Sequence, residues 1–142
     1  MSLFSQNTVL VPIDFSDEAV KALSETIDFV GPESAVYALH VLPKLEVTDP
    51  SMVWETLSDE SRQQNVEKAY AERFTEPEFK DVKFQVEFGD PSAEIIDFAK
   101  SNNIELIVIP SHGRTGLGRF FMGSVAERVV RFAHCPVLVI RR

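Results

Sequence analysis

Two short stretches hold the residues best able to do chemistry. One is Asp14-Phe15-Ser16; the other runs from Pro110 through Ser111, His112, Gly113, Arg114, Gly116 and Gly118 to Gly123-Ser124. Glycines at 113, 116 and 118 let a backbone approach a ligand closely and turn its amides toward an anion. A helix opening at Gly123-Ser124 would direct the amides of Gly123, Ser124 and Val125 outward, a ready site for phosphate. Arg114 and Arg119 can add charge-assisted hydrogen bonds. A helix dipole alone gives an anion about 0.3–1 kcal/mol, so several amides and a cation have to act together.

Turnover is less well provided for. No lysine follows the glycines in the manner of a P-loop. No acid adjoins the expected phosphate end to hold magnesium, and no base is placed to orient water. His112 has no acid beside it in sequence to partner it. Each candidate also has a plainer reading. Asp14 can cap the following helix or bond a loop amide. Ser124 with Glu127 three residues on reads as a capping box. The glycines can serve the loop's path, the arginines can be solvated, and His40 and His134 read as structural. Asp90 before Pro91 reads as a helix cap rather than a phosphoacceptor.

The elements that must position these stretches alternate between strand and helix. The run Thr8–Ile13 is nearly continuous in apolar residues, as in a strand buried on both faces. Ser16-Asp17-Glu18 supplies a cap and an acidic first turn. Val20, Leu23, Ile27 and Val30 follow at helical spacing until Gly31-Pro32. Ala35–Leu42 is the second strand, followed by an excursion over 43–53 that leads to Trp54. Val66, Ala69, Tyr70 and Phe74 mark a second helix. Val82–Phe88 alternates apolar and polar residues as a third strand, stopped and recapped by Gly89-Asp90-Pro91. A third helix carries Ile95, Ile96 and Ala99. Leu106–Ile109 is the fourth strand, Ser124–Ala133 the fourth helix and Val137–Ile140 the fifth strand. Such alternation predicts one α/β domain over residues 1–142, an open parallel sheet with helices on both faces. Ligands of such sheets sit beyond the carboxyl ends of the strands, where the winding reverses.

Composition narrows the partners. The formal net charge is −8 over 142 residues, a field that repels nucleic acid and anionic membranes. No apolar run approaches the ~20 residues that cross a bilayer, and the N-terminus lacks the pattern of a secretory signal. Cys135 is the sole cysteine, which fits a reducing cytoplasm. It reads as a small buried hydrophobe, with a reactive thiol as the alternative. The uniformly apolar fifth strand, if it lies at an edge, needs a partner, and self-pairing into a dimer supplies one.

Ser-His-Gly-Arg-Thr-Gly at 111–116, the nine residues between Gly113 and Gly123, and Gly-Ser-Val-Ala-Glu-Arg-Val-Val at 123–130 resemble the universal stress protein family. Val-Pro-Ile-Asp-Phe-Ser at 11–16, His-Val at 40–41, Gly-Asp-Pro at 89–91 and Cys-Pro-Val-Leu-Val-Ile at 135–140 fit it too, so the resemblance spans the chain. It implies an adenine nucleotide alpha hydrolase-like fold, five parallel strands ordered 3-2-1-4-5, and a homodimer joined through the last strand. It also implies a stress-response regulator binding an adenine nucleotide, ATP foremost, with or without magnesium. Carried over residue by residue, Pro12 and Asp14 would lie near adenosine and Val41 would contact adenine. Ser111, His112, Gly113 and Arg114 would follow ribose and phosphates, with Gly123, Ser124 and Val125 at the phosphate tail. One position departs: the pattern's first glycine falls on Pro110, which brings a ring and removes an amide. A ligand-free dimeric interaction module and a weak ATP hydrolase are the alternative readings.

Overall fold

The computed structural model describes residues 8–44, 59–111 and 123–141. Strand β1 (Thr8–Pro12) leads to helix α1 (Asp17–Val30), and β2 (Ala35–Leu42) precedes α2 (Asp59–Arg73). A single 3-10 turn at Pro77–Phe79 comes before β3 (Lys83–Phe88), followed by α3 (Pro91–Ser101), β4 (Leu106–Pro110), α4 (Ser124–Phe132) and β5 (Val137–Ile140). All four strand pairings are parallel, in the order β3-β2-β1-β4-β5. That is the order the resemblance implied.

The sequence explains which strands lie inside. Val9, Leu10 and Val11 of β1 are fully buried, and Leu106 to Ile109 of β4 are at most 4% exposed. Apolar side chains in succession serve a strand covered on both faces. Alternation then divides them: Val9, Val11, Leu106 and Val108 join one cluster, Leu10, Ile107 and Ile109 the other. The first cluster takes Ala19 and Leu23 of α1 with Phe74 and Phe79; the second takes Ile95, Phe98 and Ala99 of α3 with Ala126 and Val129 of α4. The chain thus covers one face with α1 and α2 on the way out to β3. It covers the other face with α3 and α4 on the way to β5. The winding direction reverses between β1 and β4.

Local signals set the helix ends. Ser16 caps α1, its side chain accepting from the Ala19 N–H at 3.2 Å, and Gly31 ends it at φ +84° with its N–H on the Ile27 carbonyl. Asp90 caps α3 through the Ala93 N–H at 3.0 Å. Gly89 before it stands at φ +145°, where a Cβ would also press on the Glu94 side chain at 3.1 Å. The packed face of α1 is a finding. Ala19, Ala22, Leu23 and Thr26 are the buried residues, while Val20, Ile27 and Val30 flank them half-buried. Small residues around Leu23 let the helix sit close to the sheet, so Val20, Ile27 and Val30 end up beside the contact line. Helix α2 buries no residue fully. Its Val66, Ala69 and Tyr70 are half-buried beside an edge strand, and Tyr70 stacks on Phe84 with ring centres 4.2 Å apart.

Candidate functional site

Beyond the carboxyl ends of β1, β2 and β4 lies a cleft of about 400 Å³, within the range of small-molecule sites. Pro12, Asp14, Val41, Pro110, Gly123, Ser124 and Val125 all line it. The turn after β1 and the start of α4, more than 100 residues apart, therefore face each other over the reversal point. Ser111, which follows β4, is buried and does not line the cleft, and both its backbone polar groups are engaged. Its N–H donates to the Ile140 carbonyl at 2.8 Å, and its carbonyl accepts from the Gly123 N–H at 2.6 Å. His112, Gly113 and Arg114, with Gly116, Gly118 and Arg119, lie outside the described residues, as do the latter part of the 43–53 excursion and Trp54.

Asp14 is held in place before any ligand arrives. Its Oδ1 accepts from the Ser16 N–H at 2.9 Å and from the Ser16 hydroxyl. One carboxylate oxygen is thereby fixed to the turn. The loop-amide reading of Asp14 is thus realised, and the helix cap proper is Ser16.

The start of α4 corrects two expectations. Gly123, not Ser124, is the N-cap, and no side chain caps the helix. The Glu127 N–H bonds the Gly123 carbonyl at 2.9 Å, while its side chain pairs with Arg131 at 2.8 Å, so the Ser124–Glu127 capping box does not form. With glycine in the extended cap conformation, Ser124 falls one residue inside the helix, where its hydroxyl cannot reach back over the first turn. The second correction concerns Gly123, whose N–H closes the loop base on Ser111. The outward amides of the first turn are therefore those of Ser124, Val125 and Ala126.

Pro110 sits where a proline is least disruptive to the sheet. Ile107 donates to the carbonyl of Pro136, just before β5, and Ser111 to that of Ile140 in β5, so residues 107, 109 and 111 face β5 and Pro110 faces β1. The β4–β5 register runs on to Pro110↔Ile140, whereas the β1–β4 register ends at Leu10↔Ile107. The missing amide thus falls on the side where the strands part and the cleft begins.

The lining includes residues the sequence had not put there: Ile13, Ser16, Glu18, His40, Ile109 and Ile95 among them. Ser16 read only as a cap, and the apolar positions only as core. For His40 a signal existed, a lone imidazole near the end of an apolar strand. Among the described residues no group of three or more His, Cys, Asp or Glu could hold a metal ion. No described helix is long and apolar enough to cross a membrane.

Comparison with known proteins agrees with this architecture. Residues 6–141 match the sequence model of the universal stress protein family. A universal stress protein of Methanocaldococcus jannaschii is 34% identical over 140 residues, covering 94% of this chain and 81% of its own length. The solved structure of UspA from Lactobacillus plantarum superposes with a TM-score of 0.72 at 26% identity, covering 95% of this chain and 97% of that one. A universal stress protein of Archaeoglobus fulgidus, solved in complex with dAMP, superposes with a TM-score of 0.61 at 25% identity, covering 94% and 97%. The shared architecture is the adenine nucleotide alpha hydrolase-like fold.

Proposed function

The chain belongs to the universal stress protein family, and we propose that it is a stress-response regulator that holds an adenine nucleotide, ATP foremost, in the cleft over β1 and β4. One observation carries this reading: a pre-positioned carboxylate, Asp14, faces a helix start with no side-chain cap across one cleft. A carboxylate only accepts, so it suits the amino and hydroxyl donors of adenosine. The first-turn amides of α4 suit the negative phosphate tail. Apolar Val41, Ile109 and Ile95 on the lining offer a surface for the base. The dAMP complex of the Archaeoglobus relative supports an adenine nucleotide as the ligand class.

Within the cleft the residues bind and orient. Pro12 and Val41 would border adenine, Asp14 the adenosine, and Ser124 and Val125 the phosphates, with His112, Gly113 and Arg114 completing the phosphate wall. A magnesium ion accompanying the nucleotide would neutralise phosphate charge and be held chiefly by phosphate oxygens. The lining's carboxylates, Asp14 and Glu18, provide no cage for it. The test is thermal denaturation with ATP, ADP, AMP and GTP, each with and without magnesium. An adenine nucleotide at 100 times its Kd stabilises by about 2.7 kcal/mol, a rise of roughly 5–10 °C for a chain this size. No rise at millimolar adenine nucleotide refutes the reading.

A cytoplasmic homodimer through β5 is part of the proposal. This strand is an edge, Leu138 on it is 36% exposed, and Val130 and Phe132 of the preceding helix are exposed at 43% and 59%. Exposed apolar residues beside an open strand edge favour pairing with a second copy. Sedimentation should give a dimer that Leu138→Asp dissociates; a concentration-independent monomer for the unsubstituted chain refutes it.

A further inference from the structure

From the hydrogen bonding at the end of β2 we infer that His40 is a positioning residue: its imidazole replaces the next rung of the β1–β2 ladder and so keeps the Val41 peptide open to the cleft. Parallel strands direct successive peptides to alternate neighbours. The Leu39 carbonyl accepts from the Ile13 N–H at 2.8 Å, so residue 39 faces β1. The Leu42 carbonyl accepts from the Gly89 N–H at 2.8 Å, so residue 42 faces β3. Val41, two residues after Leu39, shares its direction and faces β1.

A ladder continued by one rung would join the Val41 N–H to the Ile13 carbonyl. That oxygen lies instead 2.9 Å from His40 Nδ1. A carbonyl only accepts, so Nδ1 carries the proton. Among the described residues no backbone bond joins Val41 to Ile13, and the β1–β2 register ends at Pro12↔Leu39. Phe15 packs against the imidazole with ring centres 4.9 Å apart, which holds it on this acceptor. Both polar groups of the Ile13 peptide are thus bound from β2, while the strand beyond turns away through Asp14. Ladder closure is prevented, and the turn that bears Asp14 is pinned.

This deepens the nucleotide reading and rests on it. The Val41 N–H and C=O, side by side on the cleft-facing edge of β2, form a donor and acceptor pair. Adenine offers the matching N1 acceptor and 6-amino donor, whereas hypoxanthine reverses both. His40 therefore sets preference among purines through the Val41 peptide. Isothermal titration of ATP and ITP against the unsubstituted chain, His40→Leu and His40→Asn tests this, together with amide hydrogen exchange at Val41 in nucleotide-free protein. Expected is an ATP preference that His40→Leu reduces roughly tenfold, through weaker ATP binding with ITP little changed. His40→Asn, whose amide can still donate to Ile13, retains the preference. Val41 exchange slows in His40→Leu as the rung closes. An unaltered Val41 exchange in His40→Leu overturns the inference whatever binds, as does an unaltered ATP to ITP ratio. Should the unsubstituted chain bind neither nucleotide, the nucleotide reading fails and Val41 exchange alone decides the role of His40. Should His40→Leu fail to fold, a Val41 amide in the unsubstituted chain as slowly exchanging as that of Ile13 overturns the inference.

Discussion

Replacing Ser16 with alanine tests how tightly the cleft's carboxylate is tied to the fold. The Ser16 hydroxyl does two things at once. It donates to Asp14 Oδ1, and it accepts from the Ala19 N–H at 3.2 Å as the cap of α1. Loss of such a cap costs about 0.5–2 kcal/mol. Here the upper half of that range applies, because Ala19 is only 3% exposed and water reaches its amide poorly. A loss of about 1.5 kcal/mol in a chain of this length lowers Tm by roughly 3–6 °C. Asp14 would keep the Ser16 N–H at 2.9 Å but lose its second donor. The nucleotide-dependent rise in Tm should therefore shrink as well. Calorimetric melts of Ser16→Ala and Ser16→Thr at neutral pH, each with and without ATP, separate the two effects. Threonine keeps a hydroxyl at the same reach and should stay within about 1 °C of the unsubstituted chain. A Ser16→Ala melt within 1 °C of it, or a threonine variant that falls as far as alanine, refutes the reasoning.

Three further outcomes follow from particular groups. Pro110→Gly should place an N–H on the cleft wall and tighten ATP binding roughly fivefold by titration calorimetry, while Tm falls because glycine frees the unfolded chain; unchanged affinity removes Pro110 from the site. The Ala93 N–H, then the Ser92 hydroxyl, hold the Asp90 carboxyl below its usual 3.8. Its folded value being the lower, its stabilisation is present above the unfolded value and fades as pH falls through the folded one. Acid titrations should thus show the unsubstituted chain and Asp90→Ala converging below about pH 3.8, and a gap that widens on acidification contradicts the assignment. Burial pushes the Cys135 thiol up, against opposing backbone hydrogen bonds from its own amide and Ile107. Iodoacetamide should label the folded chain at pH 7.5 on the order of ten times more slowly than the unfolded chain, with the rate rising toward alkaline pH. Equal rates would mark an open thiol.

What the sequence determined by itself was the set of elements and the family they belong to. Unbroken apolar runs at 9–11 and 106–109 can be satisfied only by strands covered on both faces, and Ser16, Gly31, Asp90 and Pro91 mark helix ends through bonds made within a few residues. Such signals are local, so the chain carries them in order. The tertiary structure decided what depends on distant neighbours. Whether Ser124 or Gly123 caps α4 depended on how the loop base closes onto Ser111, and no spacing within the helix encodes that. Pro110 reads only as a ring and a lost amide in place of a glycine until the register shows its nitrogen turned toward the gap between β1 and β4. His40 reads as a core imidazole until β1 is laid beside it and ends one rung early. A hydrogen bond between residues 27 apart in sequence needs both strands in place before either partner has a meaning.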